Sequence, residues 1–271
     1  MSPLWCDEIG IHLSPGRVCM VRLNKGIGPV VSAEHEEELE GATAGQWAGS
    51  LAVVDTLLSQ QAWQGAALRF VLADCWARYA IVPWVSELGS SDEHLAHARQ
   101  LMLSTYGEAL GSWDVRLSEV PPGSARVACS VPAALLEEVR GLCVRHRRKL
   151  ASLQTQLVMT YQNWRHALPA SGAWFVTVGE GTLAAARIGP KGWDRVHTVR
   201  IGSDWIRELK RLQVFGRLAS ASPDEGAVYV DAPQAWRAVA GDAGKDLHWL
   251  EDESGSECTL KALGRLRRLA A

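Results

Sequence analysis

The fold of this 271-residue chain is decided by a stretch that occurs twice: Ile9-Gly10-Ile11-His12-Leu13-Ser14-Pro15-Gly16-Arg17-Val18-Cys19-Met20-Val21-Arg22 and Trp174-Phe175-Val176-Thr177-Val178-Gly179-Glu180-Gly181-Thr182-Leu183-Ala184-Ala185-Ala186-Arg187. Each copy reads as an apolar strand, a turn of small residues and a second strand that ends in arginine. Gly16 aligns with Gly181, and Arg22 with Arg187, at one constant offset of 165 residues. Because an internal repeat fixes the architecture before any single residue is interpreted, the chain is predicted to form two related lobes.

Composition limits the function classes. The chain is 47% hydrophobic and 21% charged, with a formal net charge of -2, so no basic field attracts nucleic acid. The N-terminus lacks the pattern of a secretory signal, and no stretch approaches the roughly 20 apolar residues of a membrane-spanning helix. The six cysteines form no C-x-x-C pair, which is typical of reduced thiols in a cytoplasmic protein.

Hydrophobic periodicity predicts a mixed α/β chain of two β-β-β-α halves. The third strand of the first half is predicted over 29–34, and a strand with large side chains on both faces over 76–84. Ser90 and Glu93 fit a capping box that begins a helix. Pro169-Ala170-Ser171-Gly172 is the best candidate linker, so the lobes are predicted at residues 1–168 and 169–271.

Two lobes that each begin with such a hairpin are the layout of the actin-like nucleotide-binding folds, whose hairpin turns hold phosphate through backbone N–H groups and a hydroxyl. The candidate phosphate-binding residues here are Ser14, Gly16, Gly179, Gly181 and Thr182. Both loops are degenerate, because the positions expected to carry an aspartate hold His12 and Thr177. Pro15 also removes an N–H donor, and Glu180 would repel phosphate. We therefore expect no resident cofactor, and binding of Mg-ATP is the alternative.

The segment 76–84 is a candidate partner-binding surface. On a strand, Trp76, Arg78 and Trp84 share one face, where they could hold an extended peptide. The alternative is an ordinary core strand between two layers.

Three further patterns remain open. Arg145-His146-Arg147-Arg148-Lys149 ends a helix, where cations complement the helix dipole but could also meet anionic lipid or an acidic partner. The tail 260–271 is predicted to be a basic amphipathic helix, with the same two interpretations. His94 and His97 lie one turn apart without a third ligand, so we expect a solvated polar face and no metal site.

The chain resembles the actin-like proteins of bacterial type IV pilus and type II secretion machines, namely the PilM and MshI types and the cytoplasmic part of GspL-type proteins. The resemblance is carried by three motifs: Ile9-Gly10-Ile11-x-Leu13-Ser14, Leu72-Ala73-Asp74-Cys75-Trp76-Ala77-Arg78-Tyr79 with Val82-Pro83-Trp84, and Val127-Ala128-Cys129-Ser130-Val131-Pro132. It implies an α/β actin-like ATPase fold, a duplicated ribonuclease H-like architecture. It also implies that an inserted subdomain at about 75–122 belongs to the first lobe.

The resemblance implies a non-catalytic cytoplasmic scaffold, peripheral to the inner membrane through its partners. The expected partners are a bitopic, PilN-like inner-membrane assembly protein and an assembly ATPase. An ATP-using phosphotransferase of the same superfamily and a nucleotide-switched filament former are the competing functions. A phosphotransferase would need an activating acid, for which only Asp7, Asp74 and Asp231 are candidates.

Overall fold

The computed structural model describes residues 7–24, 30–41, 45–179, 181–218 and 226–250. Within them, contacts divide the chain into two compact units. One unit contains the residues up to Trp76 together with Leu135–Asn163, and the other contains Ala77–Ala134 and the residues from Trp164 onward. The lobe boundary near residue 168 and the assignment of the insertion to the first lobe stay predictions.

The first unit is built on a five-stranded sheet. Its strands are β1 (Glu8–Leu13), β2 (Arg17–Asn24), β3 (Val30–Glu38), β4 (Ala67–Leu72) and, later in the chain, β8 (Leu150–Thr155). The order is β3-β2-β1-β4-β8, in which β1, β2 and β3 form an antiparallel meander and β4 and β8 run parallel to β1. Every residue of β1 is buried, as expected for a central strand covered on both faces.

Three helices accompany this sheet: α1 (Ala48–Leu58), α3 (Ala133–Arg145) and α4 (Gln156–Trp164). The stripe Leu51, Val54, Leu57 and Leu58 is the buried side of α1. From the helical spacing of these four residues and Trp47, the sequence predicts a helix over about 45–61. The buried stripe of four is confirmed, whereas Trp47 precedes the helix as its N-cap.

The second unit repeats the same sheet. Its strands are β9 (Ala173–Gly179), β10 (Thr182–Gly189), β11 (Gly192–Arg200), β12 (Ala227–Asp231) and β13 (His248–Trp249), in the order β11-β10-β9-β12-β13. A register shift falls between Arg22 and Leu23 in the first sheet and between Arg187 and Ile188 in the second, again 165 residues apart. The predicted duplication is therefore confirmed down to a β-bulge. The unit also contains α5 (Trp205–Leu218) and α6 (Gln234–Ala240).

A smaller sheet lies in sequence between β4 and β8. It consists of β5 (Arg78–Val82), β6 (Trp113–Leu117) and β7 (Arg126–Pro132), with β7 in the centre and both neighbours antiparallel to it. Helix α2 (Ser91–Tyr106) packs on one face, where Val82, Met102 and Ala128 belong to one buried cluster. Strand β5 also lies against β11, which is why this sheet belongs to the second compact unit.

The predicted capping box is present at the start of α2. The Glu93 amide donates to Ser90 Oγ at 3.2 Å, and Glu93 Oε2 accepts from the Ser90 amide at 2.9 Å. The hydrogen bonds that the Ser90 and Gly89 amides donate to the Glu93 carboxylate stabilise its charged form and lower the pKa of Glu93.

Two predicted strands have different bounds. Strand β3 continues to Glu38, not 34, because Arg17 pairs with Glu36 at 2.9 Å and with Glu38 at 3.1 Å across the β2–β3 ladder. The predicted strand 76–84 is shorter, since only Arg78–Val82 is extended and Trp76 lies in the 3₁₀ turn Asp74–Trp76. The predicted tail helix 260–271, Glu180 and two of the cysteines, Cys6 and Cys258, lie outside the described residues.

Two further findings concern composition. Of the four cysteines that the structure describes, Cys19 and Cys143 are buried. None of the described helices combines the length and apolar character needed to cross a bilayer.

Candidate functional site

The turn of the first hairpin is closed by its own polar groups. The Ser14 amide donates to the Arg17 carbonyl at 3.0 Å, and Ser14 Oγ donates to the same oxygen at 2.9 Å. Ser50, in the first turn of α1, donates its hydroxyl to the Ser14 carbonyl at 2.7 Å. Because both donors of Ser14 are used inside the hairpin, and Pro15 has no N–H, this turn does not fit a phosphate cradle.

The turn of the second hairpin has a different construction. Gly179 pairs with Thr182, and Gly181 between them has a φ of +67°, which a side chain rarely adopts. The Gly181 carbonyl accepts from the Ile201 amide at 2.9 Å. Of the two turns, this one has the glycine conformation that a phosphate loop needs. Glu180, which is expected to repel phosphate, lies outside the described residues.

The carboxylates that could serve chemistry are engaged in structural contacts. The two positions expected to carry an aspartate hold His12 and Thr177, and both side chains are buried. Asp7 pairs with Arg22 at 2.7 Å. Asp74 is 4% exposed and accepts from the Leu157 amide at 3.1 Å, which caps the start of α4.

Asp231, the third candidate acid, belongs to the second unit. It ends β12 beside Thr177 and accepts the indole N–H of Trp164 at 2.9 Å. His12 and Thr177 carry no carboxylate, and the three candidate acids already have structural partners, so this set does not fit a site for metal and phosphate. Among the described residues, moreover, no group of three His, Cys, Asp or Glu side chains could hold a metal ion.

The predicted partner-binding residues lie in different surroundings. Trp76 is 2% exposed and packs edge-on against Trp47, with ring centroids 6.5 Å apart, in the first unit. Arg78 begins β5 in the second unit, donates to the Ala77 carbonyl at 2.7 Å and lies 5.4 Å from the centre of the Trp113 ring. Trp76 therefore does not share a strand face with Arg78, because the 3₁₀ turn before β5 breaks the alternation.

Trp84 lies just past the other end of β5. The Arg126 guanidinium is 5.6 Å from the centre of the Trp84 ring. The ring of His94, a residue of α2, has its centre 4.9 Å from the centre of the same Trp84 ring. Between Arg78 and Trp84, helix α2 covers the strand face through Ala80 and Val82. The structure thus provides two half-exposed arginine–tryptophan pairs at opposite ends of one strand, Arg78 with Trp113 and Trp84 with Arg126.

Sequence reasoning missed the partners in these pairs. Trp113 and Arg126 lie on other strands of the sheet, and no local spacing connects them to Arg78 or Trp84. The expectation for His94 is wrong: it is 6% exposed and does not belong to a solvated face, because the Trp84 ring lies over it. The one available signal was the high count of 12 tryptophans, many of which needed partners.

No protein-family model matches the chain, and no curated protein matches it either. Solved structures match it over nearly its whole length. One chain of the PilM–PilN type IV pilus biogenesis complex is 12% identical, with a TM-score of 0.66, and the match covers 97% of this chain and 98% of that one.

Two other structures agree. A Bacteroides thetaiotaomicron protein with an actin-like ATPase fold and unknown function is 11% identical, at a TM-score of 0.62, with 97% and 98% of the two chains covered. The cytoplasmic domain of EpsL, an inner membrane component of the type II secretion system of Vibrio cholerae, is 9% identical at a TM-score of 0.58, with 98% and 95% covered. The chain therefore has the actin-like ATPase fold, and its solved structural neighbours include both groups of assembly proteins that its sequence resembles.

Proposed function

We propose that the chain is a non-catalytic cytoplasmic scaffold of a bacterial type IV pilus or type II secretion assembly platform. It binds the cytoplasmic segment of a bitopic, PilN-like inner-membrane protein and lies at the inner membrane through that partner. The observation that carries the proposal is the match in fold, over nearly the whole of both chains, to a chain solved in a PilM–PilN complex. Contact with an assembly ATPase belongs to the same proposal.

The absence of catalysis is supported by the residues at the two positions that are expected to carry an aspartate. Phosphoryl transfer needs a metal-binding carboxylate and a group that activates the acceptor. The positions that would supply them are His12 and Thr177, and the nearby acids Asp74 and Asp231 hold a helix N-terminus and an indole N–H.

Partner binding is proposed at the two arginine–tryptophan pairs. Arg78 and Trp84 are half-buried, and an arginine beside an aromatic ring is the type of group that dominates binding energy at interfaces. The two pairs lie at opposite ends of β5, about 15 Å apart, and α2 covers the strand face between them, so the partner would contact each pair separately. Trp76 is buried, so in this proposal it does not contact the partner.

The experiment is binding of a labelled PilN-like cytoplasmic segment to the purified full chain. Replacing Arg78 and Trp84 together by alanine should weaken binding by about a hundredfold, as loss of two central contacts does. Arg116→Ala is the matched control, because Arg116 is exposed on the far strand β6 of the same sheet. Unchanged binding by the folded double variant would contradict the site, and no binding by the wild type would contradict the scaffold.

The alternative function is ATP binding by an actin-like protein or a phosphotransferase of the superfamily. One observation favours it: the positive φ of Gly181, flanked by Gly179 and Thr182, in a turn of the right construction. Calorimetry with Mg-ATP, read together with tryptophan fluorescence, separates the two. The scaffold proposal expects no saturable binding at millimolar ATP, whereas micromolar binding that is lost in Gly181→Ala would support the alternative.

A further inference from the structure

The end of α3 carries an exposed cluster of positive charge that the proposed function does not use. From Arg140 to Lys149 the sequence contains five arginines or lysines, one histidine and no carboxylate. Two of these cations have structural partners: Arg145 pairs with Asp55 at 3.3 Å, and Arg148 reaches the Trp63 carbonyl. Arg140, Arg147 and Lys149 are exposed, and in the described part of the chain they take part in no ion pair.

Arg147 has a backbone conformation that its side chain makes costly. The Arg148 amide bonds to the Cys143 carbonyl at 2.8 Å, and the Arg147 amide bonds to the Val144 carbonyl at 3.0 Å. These two bonds define a Schellman motif with Arg147 at the left-handed position, which glycine usually occupies. Its φ is +52°, and no other non-glycine residue among the described ones has a positive φ.

The backbone conformation at position 147 thus favours glycine over the arginine that is present. Helix termination needs only the left-handed conformation, and glycine provides it without strain. The helix dipole does not account for the residue either, because Arg145 already places a cation in the last turn of the helix. Neither helix termination nor the helix dipole therefore requires the cation that Arg147 adds to this exposed cluster.

An apolar side chain stands within the same cluster. Val144 is 77% exposed, the largest exposure among the large hydrophobic residues that the structure describes. Exposed cations around an exposed apolar residue are the combination found on surfaces that lie at a lipid interface, where the cations meet headgroups and the apolar group enters the acyl boundary. Nucleic acid is disfavoured, since the net charge of the chain is -2.

We propose that this basic surface, consisting of Arg140, Val144, Arg147 and Lys149, docks directly on an anionic phospholipid membrane. The surface belongs to the first unit and does not depend on the protein partner of the proposed function. It provides a second, weaker contact with the bilayer. An acidic protein segment is the competing occupant, but it would leave the exposure of Val144 without a role.

The test is flotation of the full chain with phosphatidylcholine vesicles, with and without phosphatidylglycerol. The wild type should bind only the anionic vesicles, and binding should fall as salt is added. Arg147→Gln and Arg147→Gly should each weaken it by about fivefold, the effect expected for one cation near an anionic surface. Arg147→Gly should also raise the midpoint of chemical denaturation, because the strain is relieved.

Arg99→Gln is the matched control, since Arg99 is an exposed arginine on α2 and its loss changes the net charge by the same amount. If Arg99→Gln weakens flotation as much as Arg147→Gln, only net charge matters and the docking surface is wrong. If neither variant weakens it, another segment such as the basic tail binds the vesicles, which also overturns the proposal. Failure of the wild type to float overturns the proposal and leaves an acidic protein segment as the occupant to test. An Arg147→Gly variant less stable than the wild type would show that the Arg147 side chain stabilises the fold, which also contradicts the proposal.

Discussion

The two five-stranded sheets share their strand order and the position of a bulge, yet their outer strands have opposite surroundings. Strand β3 is mostly exposed and ends in acidic residues that pair with Arg17. Strand β11 lies against β5 of the smaller sheet and buries more of its residues. The comparison shows that the hydrogen-bonding geometry of the backbone persists in both copies of the repeat, while the side chains have adapted to different neighbours.

The largest expected difference in stability concerns the glycines just before the parallel strands β12 and β4. Gly226, before β12, has a φ of +52°, and a Cβ there would lie 2.3 Å from the Gly172 carbonyl oxygen. Gly65, before β4, has a φ of +79° and nothing within 4 Å of such a Cβ. Gly226→Ala should therefore cost about 4 kcal/mol, from overpacking and backbone strain together, and Gly65→Ala about 1 kcal/mol, from strain alone.

Urea denaturation of the two variants measures this difference. Equal losses of stability would mean that the close approach of Gly226 to Gly172 relaxes freely. The second sheet would then be no more tightly packed at its entry than the first.

The second contrast concerns the two arginines at the bulge. Arg22 and Arg187 have side chains of nearly equal exposure, 17% and 19%. The Arg22 guanidinium donates hydrogen bonds to the Asp7 carboxylate and to the carbonyls of Ala62 and Gln64. Among the described residues, the Arg187 guanidinium donates only to the Asp194 carboxylate. Arg22→Ala should cost about 3 kcal/mol and Arg187→Ala about 1 kcal/mol, because charged hydrogen bonds are lost in different numbers.

Arg22→Lys sharpens this comparison. Arg22 Nη1 donates to both carbonyls while Nη2 donates to Asp7, and the single nitrogen of a lysine cannot take both places, so the loss of stability should fall between those two values. A lysine variant as stable as the wild type in thermal denaturation would show that the second nitrogen of Arg22 contributes nothing.

The smallest effect concerns the contact between α1 and the end of α3, for which the second sheet has no described counterpart. His146 Nε2 lies 2.5 Å from Asp55 Oδ1, and this hydrogen bond, together with Arg145, lowers the pKa of Asp55. A carboxyl whose pKa is lower in the folded protein stabilises it above the unfolded pKa of about 3.9 and loses that contribution as pH falls through the folded pKa.

Asp55→Asn should therefore be less stable than the wild type at neutral pH by less than about 1 kcal/mol, since the Asp55 side chain is 42% exposed and solvent screens the pair. The difference should disappear as the pH falls below the lowered pKa that Asp55 has in the folded protein. Denaturation at several pH values measures it, and a difference that persists in acid would show that Asp55 acts through its shape and not its charge.

The sequence by itself determined the duplicated hairpins, the buried stripe of α1 and the capping box of Ser90 and Glu93. These features follow from patterns within a few residues of one another: strand alternation, helical spacing, and a serine three residues before a glutamate. The resemblance to pilus and secretion proteins added the actin-like fold, which the solved structures confirm.

Only the tertiary structure decided where particular side chains lie. Trp76 is buried against Trp47, and His94 is covered by Trp84, through contacts between elements that no local period connects. The extension of β3 to Glu38 depends on Arg17 from the neighbouring strand, and the backbone strain of Arg147 depends on how α3 ends. A sequence pattern reports the period of one element. The partners of a side chain depend on how elements distant in the chain pack together, and that is fixed only when the whole fold forms.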